Sequence, residues 1–230
     1  MDLNEVKKII NTYNNDFNIP IRYVFTNNIL KKEHYDDRFC NLLMKSGSNY
    51  NNEVVIADDD FMYFLKNKYP TYNFISSTTK CLMNKDEIKE ELNKDYYKMV
   101  CLDYNLNFNL NFLKNLSEKE KEKVEFLINP ICPSACKHRK DHYFLNSVFS
   151  LNYGKKYRME YCPIKGNTFL KETKKNHLTY DKIIENYEPL GFKNFKIEGR
   201  TWSSLDLILT YCEYMIKPEY YTYVITLLTT

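Results

Sequence analysis

The chain has 230 residues, 43% hydrophobic and 27% charged, with a formal net charge of +3. That balance suits one globular domain with a real core, and the charge is too small to indicate nucleic acid as a partner. No apolar run approaches the roughly 20 residues of a membrane span, so no membrane association is expected. The opening MDLNEVKKII is charged and amphipathic, without the apolar segment and cleavage site of a signal peptide. The expectation is a cytoplasmic protein whose seven Cys are thiols or metal ligands, an odd count that fits a disulfide framework badly.

Short β-branched and aromatic runs alternate along the chain with longer, charged, helix-periodic segments. Residues 2–15 read as a helix with Val6, Ile9, Ile10 and Tyr13 on one face, and residues 21–25 as a strand. A helix is expected over 33–45, a strand over 53–57, and a helix over 59–68 stopped by Pro70. Then come a strand at 72–76, a helix at 86–94, a strand at 99–102 and a helix ending near Lys121. A strand at 124–128 leads into a helix through Ser150, and residues 153–175 read as irregular. A helix at 180–187, a strand at 195–197 and a helix at 203–215 follow, and the apolar ending 223–230 reads as core packing.

Strand–helix alternation with short connections implies parallel strands and right-handed crossovers. The whole chain, 1–230, is expected to form one α/β domain, a TIM-type (β/α) barrel that is either closed or incomplete. Six strands are evident, and eight would need two more, around 157–161 and 177–179. With five Gly residues and no Gly-rich phosphate loop, the sequence argues against a Rossmann nucleotide site.

Each strand ends in a polar cluster: Thr26-Asn27-Asn28, Asp58-Asp59-Asp60, Ser77-Thr78-Thr79-Lys80, Asp103-Tyr104-Asn105, Asn129-Pro130 and Glu198-Gly199-Arg200. In a parallel sheet these ends share the face where α/β folds carry their chemistry. Helix capping alone accounts for many of the Asp, Asn, Ser and Thr residues, but not for Lys80, Glu198 and Arg200. The candidate catalytic residues are therefore Lys80, Glu198 and Arg200, with Asn27, Asn28, Asp103 and Asn129 as substrate contacts in one shared pocket. Arg200 suits bidentate binding of a carboxylate or phosphate.

Cys132 and Cys136 lie directly after a strand and at a helix start, beside Lys137, His138 and Arg139, a setting that favours thiolates. Cys162 follows in the irregular segment, Cys40 lies beyond the first strand, and Cys81 follows Lys80. Three or four thiolates suit an iron–sulfur cluster or zinc, although the spacing is not that of a zinc ribbon. The candidate metal set is Cys132, Cys136 and Cys162 with Cys40 as fourth ligand and Cys81 in reserve. Cys101 and Cys212 read as core thiols. His138 and His142 lack the HExxH context and read as solvated or capping residues, and no GxSxG nucleophile context occurs.

The segment Phe192-Lys193-Asn194-Phe195-Lys196-Ile197-Glu198-Gly199-Arg200 resembles the collagenase-like peptidase family U32, whose members carry a Phe/Leu-Lys-Ile-Glu-Gly-Arg segment near the end of a barrel. Phe25-Thr26-Asn27, Ser77-Thr78-Thr79-Lys80 and the Asn-Pro-x-Cys-x-x-x-Cys run from Asn129 to Cys136 are similar to segments of one branch of that family. The resemblance covers roughly residues 21–200. It implies a 4Fe-4S cluster held by four Cys and a part in oxygen-independent hydroxylation of RNA bases or quinone precursors. The Cys spacing departs from that pattern, and a helix stands where a first strand is expected. Three functions follow as expectations: an iron–sulfur enzyme or accessory factor acting on a polar or anionic substrate, a hydrolase, or a non-catalytic barrel binding a ligand or a protein partner.

Overall fold

The computed structural model describes residues 2–49, 52–152, 174–199 and 203–229. The chain divides into two units, Met1–Asp103 with Lys137–Pro163, and Tyr104–Cys136 with Ile164–Thr230.

The first unit begins with α1 (Leu3–Asn11), which runs on through a π-helical turn, Thr12–Asp16. Four parallel strands follow in chain order: β1 (Arg22–Phe25), β2 (Glu53–Ile56), β3 (Asn73–Ser76) and β4 (Tyr97–Cys101). The helices α2 (Arg38–Ser46), α3 (Asp59–Lys68) and α4 (Lys85–Asn93) connect them, as parallel pairing requires. The helix expected from residue 33 starts later. Lys32–His34 form one 3-10 turn, and Asp37 accepts the amide of Cys40 as the N-cap of α2. An Asp side chain that bonds to nearby backbone favours a cap over a helix interior.

Residue alternation assigns the two sheet faces. Val55, Ile75 and Met99 pack together with Val24 on one face. In the paired register Val54, Ile56, Phe74 and Ser76 lie on the other. Ser76 donates to Glu91 of α4, so this second face is the helix-covered one. β2 is buried along its whole length, whereas every residue of β1 is half-buried.

Below the strand N-termini, the buried Asn14 and Asn52 and the half-buried Asn49 form an amide network. Asn52 donates to Asn14 Oδ1 (3.0 Å) and to the Gly47 carbonyl (2.8 Å), and its Oδ1 accepts from Asn14 (2.9 Å) and the Ile21 amide (2.8 Å). A Cβ at Gly47 would crowd the hydroxyls of Tyr23 and Tyr72, which would have to shift. The unit also contains α7 (Arg139–Leu151), described below with the strand ends it covers.

In the second unit the single helix expected to end near Lys121 is two. The helix α5 (Leu110–Lys114) stops at Asn115, and Ser117 opens α6 (Glu118–Lys123) with a capping box to Glu120. β5 (Val124–Leu127) is fully buried and pairs in parallel with β6 (Asn194–Lys196). Phe126 of β5 packs against Tyr187, Phe192 and Phe195, with ring centroids 5.0–5.7 Å apart. The helix expected at 180–187 is a short α segment, α8 (Tyr180–Lys182), continued as a π turn, Ile183–Tyr187.

Residues 177–179, expected as an additional strand, are not one. Leu178 is buried and its amide donates to the Ile128 carbonyl (2.8 Å), but no ladder follows. Residues 157–161 lie outside the described residues. The C-terminal expectation is corrected outright: α9 (Ser204–Met215) and α10 (Pro218–Thr229) form a helical pair, and Tyr223 and Leu227 of the supposed core segment are 66% and 60% exposed. No helix among the described residues is long and apolar enough to cross a membrane.

Candidate functional site

In the first unit the polar strand ends are taken up by α7. Asn27, after β1, donates to the Ser147 carbonyl (3.0 Å) and to Ser150 Oγ (2.9 Å). Asn28 accepts from Ser147 Oγ (2.8 Å) and offers its amide to the same oxygen (3.2 Å). Asp103, after β4, is buried in an ion pair with the Arg139 guanidinium, itself 4% exposed. Arg139 also donates to the Thr78 carbonyl (3.1 Å) and hydroxyl (3.0 Å) after β3, and its guanidinium lies over Tyr143. The ends of β1, β3 and β4 are thus all fastened to one helix. Asn27, Asn28 and Asp103, expected as substrate contacts, serve here as docking contacts. A cavity of about 10 Å³, room for about one water, lies between Ser76, Ser77, Thr78 and Asp103 and their apolar neighbours.

Lys80 is held elsewhere in this unit. Its ammonium pairs with Asp59, with Glu91 Oε1 (2.6 Å) and with the Tyr97 hydroxyl (3.1 Å). Lys94 bridges the other oxygens of Asp59 (2.7 Å) and Glu91 (2.6 Å), and Tyr97 donates to Asp59 (2.6 Å). Burial opposes charge on both carboxylates. Hydrogen bonds from Lys80 and Lys94, with Tyr97 at Asp59 and Ser76 at Glu91, outweigh it and hold both below the usual carboxylate range. The run Asp58-Asp59-Asp60 therefore splits three ways. Asp58 caps α3 through the Phe61 amide, Asp59 enters the ion-pair cluster, and Asp60 is exposed. Reading the sequence missed Glu91 and Tyr97. The one available signal was an acidic residue on the inward face of α4, beside Ile88 and Leu92.

The second unit holds the cysteine loop between β5 and α7. Four side chains fasten it. Tyr104 donates to the Pro133 carbonyl (3.1 Å), Asn105 accepts the Ala135 amide (2.8 Å), and Asn176 donates to the Cys132 carbonyl (2.8 Å). His177 lies beside this loop, and burial pushes its pKa down. Glu198 accepts the Ile131 amide (3.2 Å), while Asn129 spans the backbone of Glu198, donating to its carbonyl (2.9 Å) and accepting its amide (2.7 Å). Ala135 is forced to φ +50°, a left-handed conformation that costs a non-Gly residue energy and is maintained by these contacts. Cys132 and Cys136 are both half-buried thiols on this loop.

Glu198 and Asn129, expected in catalysis and substrate binding, are thus brought together and act on the loop backbone. Tyr104, Asn105 and Asn176 were not anticipated as loop anchors, and nothing in their spacing marks them. Arg200 and Cys162 lie outside the described residues. Cys40 is a poor thiolate: burial and a hydrogen bond to Asp37 push it up to about 11. Cys81 adopts a left-handed conformation (φ +53°), and burial raises its pKa against the opposing charge of Arg139. Cys101 and Cys212 are buried, as core thiols are. His138 is the residue preceding α7, and its carbonyl accepts the amide of His142. Among the described residues no group of three or more His, Cys, Asp or Glu is arranged to hold a metal ion. Comparison with protein-family models, curated proteins and solved structures finds no match for this chain.

Proposed function

We propose that this chain is an iron–sulfur protein of the (β/α)-barrel class, similar in kind to the U32 proteins, with its cofactor on the Asn129–Cys136 loop. The observation that supports this reading is the fastening of the loop by four side chains, with Glu198 of the Lys-Ile-Glu-Gly-Arg segment among them. A thiolate site needs ligands held in place by the groups behind them, and this loop has such groups. The donor set fits in part. Cys132 and Cys136 are soft, partly accessible ligands on a fixed backbone. Cys162 is the proposed third ligand. Cys40 fits poorly as the fourth, since burial and then Asp37 favour its protonated form.

A 4Fe-4S cluster supplies one-electron chemistry when bound. The residues of this chain then do two things. Tyr104, Asn105 and Asn176 orient the loop backbone, and Glu198 and Asn129 tie it to the end of β6. The substrate proposed is polar or anionic, with Arg200 as the residue to recognise it.

Anaerobic purification with iron and sulfide analysis and a visible spectrum tests this reading. Cluster-level iron and sulfide with a broad band near the visible blue are expected, lost in Cys132→Ala and Cys136→Ala. Stoichiometric zinc without sulfide would replace the cluster with a structural zinc site. Neither metal in anaerobically prepared protein would leave a ligand- or partner-binding barrel as the better description.

A further inference from the structure

The C-terminal helical pair shows its apolar seams to solvent. In α9 the exposed Ile208, Tyr211 and Met215 recur at i, i+3 and i+7, and in α10 Tyr220, Tyr223 and Leu227 repeat the same spacing. This is the spacing of a helix–helix seam, in which each side chain inserts between residues of a facing helix. The polar positions form separate wedges, Asp206, Thr210 and Glu213 on α9 and Glu219, Thr222 and Thr226 on α10. The helices touch each other, yet Met215 and Tyr223 remain 71% and 66% exposed, so their mutual contact does not use the seams.

We propose that α9 and α10 are the dimerisation surface of this protein and that a second copy of the chain covers them. Three observations select that occupant. The seam spacing calls for helices as partners, and a second copy presents two of them. Pairing two such hairpins about a two-fold axis gives a four-helix bundle in which every seam faces another. The area is also right: the six seam residues expose on the order of 700 Å², at roughly 200 Å² for a whole large side chain, and Leu205 and Leu228 add to it. A stable interface buries about 800 Å² on each partner, and a lone monomer rarely leaves so large an apolar patch open. The charge argues against a lipid surface. Asp206, Glu213 and Glu219 face a single basic residue, Lys217, whereas helices that lie on membranes carry Lys and Arg on the polar face.

Light scattering on the eluting full-length protein is the test. Twice the chain mass is expected at micromolar concentration, falling to the monomer mass in the double variant Met215→Glu, Tyr223→Glu with an unchanged circular dichroism spectrum. The double variant Asp206→Asn, Glu213→Gln on the opposite wedge should stay dimeric. Hydrogen exchange on the unmodified protein adds a measurement that needs no variant: residues 204–229 should gain protection as concentration rises. A wild-type monomer at every concentration, a dimer that survives the seam variant, or a monomer that binds phosphatidylcholine vesicles through this surface would each overturn the proposal.

Discussion

At Arg139 one side chain holds three contacts that no other residue in this position would supply. Its planar fork reaches the buried Asp103 carboxylate and both polar atoms of Thr78, and its face lies against Tyr143. Lysine would keep the charge but lose the fork. Arg139→Met should leave Asp103 buried without its cation, at a cost of about 3–5 kcal/mol. That corresponds to a fall in Tm of roughly 6–20 °C for a chain of this size, readable by thermal unfolding. Glu198 gives a gentler contrast. Glu198→Gln retains an acceptor for the Ile131 amide, whereas Glu198→Ala removes it. If the loop positions the cofactor, Glu198→Ala should lower bound iron more than Glu198→Gln, with both proteins folded.

The helix starts show how far local chemistry reaches at the scale of an element. Asp37, Asp58, Asn84, Asn109, Ser117 and Ser203 each accept an amide of the helix they precede, as their short polar side chains favour. Within the Asp58-Asp59-Asp60 run, Asp58→Ala should cost about 1–2 kcal/mol in urea unfolding, whereas the exposed Asp60→Ala should be near neutral. The elements expected from sequence recur with small shifts: the helix at 59–68 has those bounds, and each of the six strands lies within two residues of its expected position. Two of the departures are helix starts. Asp37 and Ser117 each open a new helix inside a stretch expected as one, because a cap acts on only two or three nearby amides.

For the whole molecule, pH dependence follows from three carboxylates of the first unit. Burial opposes the charges of Glu53, Asp59 and Glu91, but their Lys and Arg partners outweigh it and lower all three pKa values. A carboxyl whose folded pKa is depressed contributes stability above its unfolded pKa, about 4, and loses that contribution as pH falls through the folded value. Urea unfolding should therefore show stability level near neutrality and declining below about pH 4. Lys94 is shifted in the opposite direction: its paired carboxylates outweigh burial and raise its pKa, so its contribution persists through neutrality. Lys80→Met should cost about 3 kcal/mol near pH 7, at the low end for a broken buried pair because Lys94 still bridges both acids. It should also flatten the acid decline. An unchanged pH profile in that variant would show that the cluster does not control acid stability.

The order of strands and helices was legible in the sequence, because it depends on residues within a few positions of one another: alternation and amphipathic spacing. The resemblance around Glu198 likewise drew attention to a residue that contacts the cysteine loop. What only the tertiary structure decided was the partner of each polar residue. Asn27 meets Ser147, Asp103 meets Arg139, and Glu198 meets Ile131, at separations of 120, 36 and 67 residues. Local spacing carries no information about such pairs, and a polar residue at a strand end looks the same whether it will bind a ligand or fasten a helix. The exposure of Tyr223, Leu227 and Leu228 was hidden for a related reason: an apolar run records that a surface avoids water, but whether the same chain or another covers it depends on the packing of every other element.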